Sequence, residues 1–325
     1  MSMQSNRRLS ASGWVTLLGL IGFFLAAAGH SASATEVCPP AFGPGESFVV
    51  VKPSSLASMA ITQEQRKDIT VQISIIRGRP ANPPEWPATL VMCTSDGKYC
   101  TITVVGIRVV LTAAHCFDQV RPAGGGPITG MLRLPSGSAI SITCTTHPDY
   151  KPFDRKVFDT NGHKMKVEWS ADVAVCKASS DLPVPVAERL APPSNCPKPG
   201  SNIILVGYGC TLPNGGGAAE TLYVGPASIE GVEEKTFFIH TKRKARGGEA
   251  ALCDGDSGGA SFDKEGRSRG VCGINSLTNE LTDSWLTDTG RPEIRTFIKH
   301  ETDDDPASHV CGVHPDARGC RPIAE

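Results

Sequence analysis

Short apolar runs bounded by glycine and proline dominate the hydrophobic pattern of this chain. Its 325 residues include 34 glycines and 25 prolines. Runs of this length between turn-forming residues are typical of β-strands joined by tight turns. The clearest runs cover residues 101–111, 138–144, 202–206 and 236–241. The pattern therefore predicts an all-β protein built from many short strands.

Helical spacing is sustained only near the end of the chain, at residues 291–300. There Ile294, Phe297 and Ile298 would share one helical face. A proline-rich stretch at 182–200 separates the earlier strands from the later ones. The length of the chain suits one two-lobed unit better than several independent domains.

The first 34 residues have the three parts of a signal peptide. Arg7 and Arg8 precede an apolar run at 14–28, and small residues follow at 32–34. The run is too short and too rich in small residues to suggest a membrane span. We therefore expect cleavage before Thr35 and a secreted or periplasmic protein, with no stable membrane span after cleavage.

Cysteine count and net charge agree with that compartment. All twelve cysteines lie beyond the expected cleavage point, and the formal net charge is −1. An even number of cysteines in an oxidising compartment favours disulfides over metal sites. Proteins that bind nucleic acid usually carry a clear excess of positive charge, which this chain does not have. We expect no metal, no cofactor and no nucleic-acid partner.

Three short motifs carry the residue types that acyl transfer needs. Ser257 lies between glycines at 253–259, His115 ends an apolar run, and Asp172 begins another. A serine hydroxyl needs a neighbouring base to become a nucleophile, and His115 could accept its proton. A buried Asp172 would fix the tautomer of that imidazole. The N–H groups of Gly255 and Ser257 could stabilise the oxyanion.

These motifs resemble those of the trypsin-like (chymotrypsin-fold) serine endopeptidases. Ala-Ala-His-Cys at 113–116 and Gly-Asp-Ser-Gly-Gly at 255–259 occur in the family's His, Asp, Ser order, and the resemblance covers roughly residues 75–300. It implies two antiparallel six-stranded β-barrels with a C-terminal helix, and an active site in the cleft between the barrels. It also implies a monomer that acts on polypeptides.

The resemblance divides the chain into five regions. We expect a signal peptide at 1–34 and a propeptide or N-terminal extension at 35–74. The first barrel would cover 75–190, and the second barrel with the terminal helix would cover 191–300. A C-terminal tail at 301–325 would follow.

Activation in the family uses a newly cut N-terminus whose amine pairs with the aspartate before the nucleophile. Asp256 occupies that position here, and Ile75 would be the new N-terminus. Arg77 stands where the family usually has glycine, and Ser74 before the cut argues against a trypsin-like activating protease. The prediction is a zymogen, for which an activating protease could be a partner. Alternatively, residues 72–76 are simply the first strand.

The resemblance also suggests disulfide partners, although sequence alone cannot fix connectivity. Because a cut before Ile75 would leave eleven cysteines in the body, Cys38 is predicted to tether the propeptide. In the tail, a disulfide is favoured over a zinc site that would also use His309 and His314. The predicted pairs are Cys100 with Cys116, Cys210 with Cys253, Cys144 with Cys176, and Cys311 with Cys320.

Substrate preference is predicted from the residues at the family's primary specificity pocket. Ala251 would lie at its base, followed by Leu252, and an apolar base should reject lysine and arginine. We therefore expect small or medium apolar residues on the acyl side of the bond. The predicted pocket wall includes Gly273, Ile274 and Asn275, with Gly273 lacking the hydroxyl that usually supports the catalytic aspartate.

Two alternatives to a protease remain at this point. The departures at Gly273, at Arg77 and at 101–102, where the family has a glycine pair, would suit a weak or silent binding protein with the same fold. An esterase could also use the same triad, because acyl transfer does not require an amide.

Overall fold

The computed structural model describes the two barrels and the segments that join them. The described residues are 42, 45–51, 75–122, 126–134, 136, 138–152, 170–210, 221–233, 237–243, 248–279 and 282–322. The predicted signal peptide at 1–34 lies outside them, as does most of the predicted extension at 35–74.

The first barrel has seven strands. Their order around the closed barrel is β1-β3-β4-β5-β8-β7-β6. β1 pairs antiparallel with β3 and parallel with β6. The strands are β1 (Phe48–Val51), β3 (Thr89–Thr94), β4 (Tyr99–Gly106), β5 (Val109–Thr112), β6 (Ile128–Arg133), β7 (Ala139–Thr146) and β8 (Ala174–Ala178).

The seventh strand corrects the prediction of six antiparallel strands. β1 comes from the region predicted as a propeptide or extension, and it inserts between β3 and β6. Phe48 is buried, and its ring lies 5.3 Å from that of Phe117. Gly130 on β6 leaves room for it, since a Cβ there would lie 2.5 Å from the carbonyl oxygen of Phe48. β1 is thus part of the core of the first barrel.

The second barrel has six strands and one short addition. The sheet order is β11-β14-β13-β12-β9-β10-β2, and a further pairing of β11 with β10 closes the barrel. β2 (Arg79–Pro80) pairs with β10, so residues predicted to start the first barrel join the second one. The other strands are β9 (Asn202–Gly207), β10 (Tyr223–Val232), β11 (Phe238–Lys242), β12 (Ala260–Phe262), β13 (Val271–Thr278) and β14 (Asp283–Asp288).

The residue pattern explains why these segments form strands. β7 alternates exposed and buried residues along most of its length, as expected for a strand with one face on a core. β3 is buried on both faces. Four short 3₁₀ helices lie among the described residues, at Pro83–Glu85, Ala114–Phe117, Pro193–Asn195 and Pro306–Ser308.

The predicted C-terminal helix is confirmed as α1 (Pro292–Thr302). Pro292 suits the first turn, where its missing N–H has no intrahelical partner to lose. The predicted face is buried, with Ile294, Phe297 and Ile298 in the core. No helix in the described ranges is long and apolar enough to cross a membrane.

The predicted tail at 301–325 packs closely on the barrels. The N–H of Cys311 donates to the carbonyl of Val105 on β4 at 2.8 Å. Cys320 forms a β-bridge with Ala187 in the connection between the barrels. The described part of this region is therefore integral to the fold.

Candidate active site

His115 and Asp172 are brought together by a short 3₁₀ helix and by the segment that leads into β8. His115 lies in the 3₁₀ helix that follows β5, and Asp172 lies two residues before β8, which pairs with β5. The Nδ1 atom of His115 is 2.7 Å from Oδ2 of Asp172. The backbone N–H of His115 donates to Oδ1 at 2.9 Å. Both carboxylate oxygens of Asp172 therefore hold this histidine.

Ser276 completes the surroundings of that carboxylate from the second barrel. Its hydroxyl donates to Oδ2 of Asp172, and the hydroxyl of Thr287 donates to the Asp172 carbonyl at 2.8 Å. The side chain of Asp172 is fully buried. This partner was not predicted, because the supporting position had been assigned to Gly273.

The structure corrects that assignment, because the hydroxyl that supports Asp172 belongs to Ser276, three residues after Gly273. The register of β13 against β14 shifts between Asn275 and Leu277, so Ser276 lies at an irregularity of the ladder. A β-bulge of this kind can re-aim a side chain beside an active site. Counting along the sequence could not reveal the shift. The only sequence signal was a serine close after the apolar run that contains Gly273.

The His115–Asp172 pair shifts the pKa values of both groups. Burial by itself would lower the pKa of His115, but the charge and hydrogen bond of Asp172 outweigh it and raise that pKa above its usual value. Burial would raise the pKa of Asp172, but its contacts with His115 and Ser276 hold it below the usual value. Asp172 therefore stays ionised and stabilises a protonated imidazole.

Ser257 reaches the same cluster from the turn before β12. Its Oγ lies 3.5 Å from the carbonyl oxygen of Ser276. Its own carbonyl oxygen lies 4.0 Å from Sγ of Cys116, the residue after His115. Ser257 and His115 are partly exposed, whereas Asp172 is buried. A substrate can therefore approach the serine and the histidine but not the aspartate.

The turn at 254–257 is held through its carbonyl groups. Within the described part of the chain, the N–H groups of Gly255 and Ser257 have no hydrogen-bond partner. A side chain at Gly255, which has φ +93°, would meet the ring of Tyr99 at 2.1 Å, so the turn requires glycine there. The carbonyl partners are Cys210 N–H for Asp254, the Thr101 hydroxyl for Gly255, the Asn275 amide and Gly259 N–H for Asp256, and Thr101 N–H for Ser257.

Asp256 is buried beside this turn. Among the described residues, its carboxylate, in contrast to that of Asp172, has no histidine in contact. Its carboxylate accepts N–H groups from Gly209 at 2.8 Å and from Cys253 at 2.9 Å. Burial, with a smaller contribution from Asp254, raises its pKa to about 7 despite these hydrogen bonds. A buried carboxyl in this state favours protonation unless a cation arrives.

The predicted activation residue lies against the second barrel in the uncut chain. Ile75 is fully buried and has φ 39°. Ile76 forms an antiparallel bridge with Ala251, whose N–H donates to the Ile76 carbonyl at 3.1 Å. The segment that would become a new N-terminus is therefore ordered next to the strand region that leads to Asp256.

The predicted pocket residues fall into two groups. Ala251 and Leu252 are buried side by side. The hydroxyl of Thr278 donates to the Leu252 carbonyl at 2.9 Å, and Ser284 accepts the Leu252 N–H at 2.9 Å. Thr278 and Ser284 were not predicted, because they are close in space only through the pairing of β13 with β14.

The second group is corrected. Gly273, Ile274 and Asn275 were predicted to form a pocket wall, but they lie inside β13 and are buried in the barrel. Asn275 binds the carbonyls of Val206 and Asp256 through its amide, at 3.0 and 3.1 Å. It therefore supports the turn at 254–257 instead of narrowing a pocket entrance.

The disulfides agree with the predicted pairs. All four predicted pairs are present, and Cys196 pairs with Cys272, which the sequence had left open. Cys93 is also disulfide-bonded. Cys38 lies outside the described residues, so its role as a tether stays a prediction.

Among the described residues, one group of possible metal-ligand atoms lies close together, and it consists of Cys100, His115 and Cys116. Both cysteines belong to one disulfide, so neither can offer a thiolate. This group therefore gives no reason to assign a metal to the site.

A protein-family model matches the part of the chain that contains most of both barrels. The model described as Trypsin matches residues 75–285, which is well over half of the chain. The matched span contains His115, Asp172 and Ser257.

Proposed function

Since this chain belongs to the trypsin family, we propose that it is a serine endopeptidase that cleaves peptide bonds through an acyl-enzyme intermediate. One observation carries the proposal. The hydrogen-bonded chain of His115, Asp172 and Ser276 contacts Ser257, which lies in a turn with two N–H groups that have no partner among the described residues. These groups would supply a base, its orienting carboxylate, a nucleophile and, once a cut before Ile75 has completed the turn, an oxyanion site.

The reaction begins with attack of Ser257 Oγ on the carbonyl carbon of the scissile bond. His115 accepts the hydroxyl proton through Nε2, while Asp172 at Nδ1 stabilises the imidazolium. The carbonyl electron pair moves onto the oxygen, and the N–H groups of Gly255 and Ser257 bind it. Removal of one such donor typically costs a protease about 3–4 kcal/mol of transition-state stabilisation.

Collapse of the tetrahedral intermediate breaks the C–N bond. His115 returns its proton to the leaving amine, and the acyl group remains on Ser257. Water then attacks the ester carbonyl, with His115 accepting a proton from it. The second collapse releases the carboxylic acid and returns the proton to Ser257. The raised pKa of His115 favours the proton-accepting steps.

The contacts of Leu252 support a preference for small or medium apolar residues. Thr278 and Ser284 are small, uncharged and hydrogen-bonded to Leu252, and Ala251 next to it is buried. A lysine or arginine side chain placed among these groups would bury a charge without a carboxylate partner. We therefore expect cleavage after residues such as alanine or valine.

The state of Asp256 supports a zymogen. Because its pKa is about 7, ionisation of Asp256 costs free energy in the uncut chain. A cut before Ile75 would create a cationic amine, which could pair with Asp256 and lower its pKa. The disulfides fit maturation in a secretory, oxidising compartment.

A cut at this place would not release the whole N-terminal segment. β1 pairs with two neighbours in the first barrel, and Phe48, Val49 and Val50 are buried. Burial of each such side chain stabilises the barrel by about 1.5–3 kcal/mol. The mature enzyme would therefore consist of two chains. They should elute together in gel filtration under native conditions, and separation without denaturant would contradict this.

The test of the activity compares peptide and ester substrates on protein cut before Ile75. We expect hydrolysis of a peptide anilide with alanine before the bond, much slower hydrolysis with arginine, and loss of both in Ser257→Ala. Hydrolysis of esters alone would identify an esterase instead. The uncut chain serves as the matched control for activation.

A further inference from the structure

We infer that Thr101 is a positioning residue that holds the oxyanion turn in its working geometry, an inference that rests on the proposed function. Thr101 belongs to β4 of the first barrel and is fully buried. Its hydroxyl and its backbone N–H nevertheless bond to the second barrel, whereas its carbonyl accepts the Thr112 hydroxyl within the first barrel. It also stands at one of the sequence's departures from the family, where a glycine without a side chain is usual.

Two groups of Thr101 bind the turn on either side of Asp256. The hydroxyl donates to the carbonyl of Gly255 at 2.8 Å. The backbone N–H donates to the carbonyl of Ser257 at 2.8 Å. Gly255 and Ser257 are the residues whose own N–H groups face no partner in the described chain. One residue thus fixes the carbonyls of both proposed oxyanion donors.

The hydroxyl also connects the turn to the segment that holds Asp256. It accepts the N–H of Tyr208 at 3.0 Å. The next N–H, that of Gly209, donates to the Asp256 carboxylate at 2.8 Å. The hydroxyl is therefore the shared partner of Gly255 and Tyr208, which lie on opposite sides of Asp256 in this network.

Glycine makes this turn dependent on such a partner. Gly255 has φ +93°, and a glycine can leave this conformation more easily than other residues can. Without the Thr101 hydroxyl, the buried Gly255 carbonyl and the Tyr208 N–H would both lack a partner. The turn could then rotate to satisfy them, and the Gly255 N–H would change its direction.

Thr103 provides a matched control on the same strand face. It is two residues further along β4, and it is also fully buried. Its hydroxyl accepts the N–H of Ala260 at 3.1 Å, a contact to the second barrel outside the oxyanion turn. Removal of either hydroxyl leaves a buried N–H without its partner. Of these two threonines, Thr101 alone forms hydrogen bonds to Gly255 and Ser257.

The experiment measures kcat and KM for a peptide anilide on the full, matured protein carrying Thr101→Val, Thr101→Ser or Thr103→Val. Thr101→Val should lower kcat about 10- to 100-fold, somewhat less than loss of a whole oxyanion donor, with KM changed less than about threefold. Thr101→Ser should restore kcat to within about threefold. Thr103→Val should lower the melting temperature while leaving kcat within about threefold.

Binding of a peptide boronate, which mimics the tetrahedral intermediate, provides the second readout. Thr101→Val should weaken this binding in proportion to its loss of kcat, whereas Thr103→Val should not. Thr101→Ala removes the same hydroxyl with less bulk and should behave alike if the valine variant does not fold. Equal kcat values in the Thr101 and Thr103 variants would overturn the inference. Failure of fluorophosphonate to label the matured parent protein would instead overturn the proposed function itself.

Discussion

Asp172 precedes a strand of the first barrel and Asp256 precedes a strand of the second barrel. Both carboxylates are fully buried, yet their surroundings are very different. Asp172 at the first barrel contacts the His115 ring and the Ser276 hydroxyl, and its pKa is lowered. Within the described ranges, the Asp256 carboxylate at the second barrel accepts hydrogen bonds only from the backbone N–H groups of Gly209 and Cys253. Its pKa is raised to about 7.

The difference shows that burial does not determine the charge of a carboxyl group by itself. Asp172 has a titratable base in contact, so the uncut fold already supports its ionised form. Among the described residues, Asp256 accepts hydrogen bonds from backbone N–H groups and from no cationic group. In the proposed mechanism, the His115 side of the site is complete before maturation and the oxyanion side is not.

The largest predicted effect comes from removing the negative charge of Asp172. Asp172→Asn should lower kcat by about 10⁴-fold, because the amide favours the wrong imidazole tautomer and cannot stabilise the imidazolium. Steady-state kinetics on the matured enzyme measure this. Asp118→Asn is the matched control, since Asp118 lies near His115 but bonds to the Tyr150 hydroxyl at 2.7 Å. Comparable losses of kcat in the two variants would show that the effect is not specific to Asp172.

The second effect concerns Asp256 in the chain cut before Ile75. Asp256→Asn should lower kcat/KM by about 10²- to 10³-fold, similar to the loss of one oxyanion donor, because the new amine loses its partner. The exposed neighbour Asp254 supplies the control, and Asp254→Asn should retain nearly full activity. An Asp256→Asn enzyme with parental activity would rule out the proposed activation.

The third effect is a pH dependence of stability in the uncut chain. The pKa of Asp256 is about 7 in the folded chain, above the usual value for aspartate. Between the usual pKa of aspartate and this raised pKa, the folded state keeps a proton that the unfolded state has lost. The free energy of unfolding therefore falls as the pH rises towards about 7. Between pH 5 and pH 7 the loss from this group should be about 2 kcal/mol.

Denaturant unfolding of uncut Ser257→Ala protein, with disulfides intact, measures that loss. The added substitution prevents self-cleavage. The slope with pH should become shallower when Asp256→Asn is introduced, and also after a cut before Ile75. An unchanged slope in both cases would show that Asp256 is ionised in the uncut fold.

The smallest effect is expected from the hydroxyl that supports Asp172. Ser276→Ala should lower kcat about tenfold, because one hydrogen bond to a charged group is lost while the His115 contact remains. Ser308→Ala, which removes a buried serine hydroxyl in the C-terminal region, should leave kcat unchanged. A full kcat in Ser276→Ala would mean that the Asp172 charge needs no support from the second barrel.

Sequence patterns predicted the features that depend on local motifs. The helix face of Ile294, Phe297 and Ile298 follows from spacing and is buried as expected. The predicted pairs Cys100–Cys116 and Cys210–Cys253 followed from the family resemblance, and both are present. The pairs Cys144–Cys176, expected between neighbouring strands, and Cys311–Cys320, expected in a secreted chain, are present as well. His115 and Asp172 carry recognisable flanking residues, and the structure brings them into contact.

Features that depend on distant pairing were missed. Phe48–Val51 is a visible apolar run, but its place between β3 and β6 depends on residues far along the chain. Ser276 reaches Asp172 only because the β13 register shifts next to it. Asn275 was assigned to a pocket because position in a motif does not reveal which face of a strand is buried.

Fluorophosphonate labelling of protein matured in its own secretory compartment tests the central claim most directly. The labelled band would be sequenced from its N-terminus, beside a Ser257→Ala control. We predict a label on a chain that starts at Ile75 and no label on the control, because only this cut completes the oxyanion side. A correctly cut chain that takes no label would contradict the account and favour a silent binding protein with this fold.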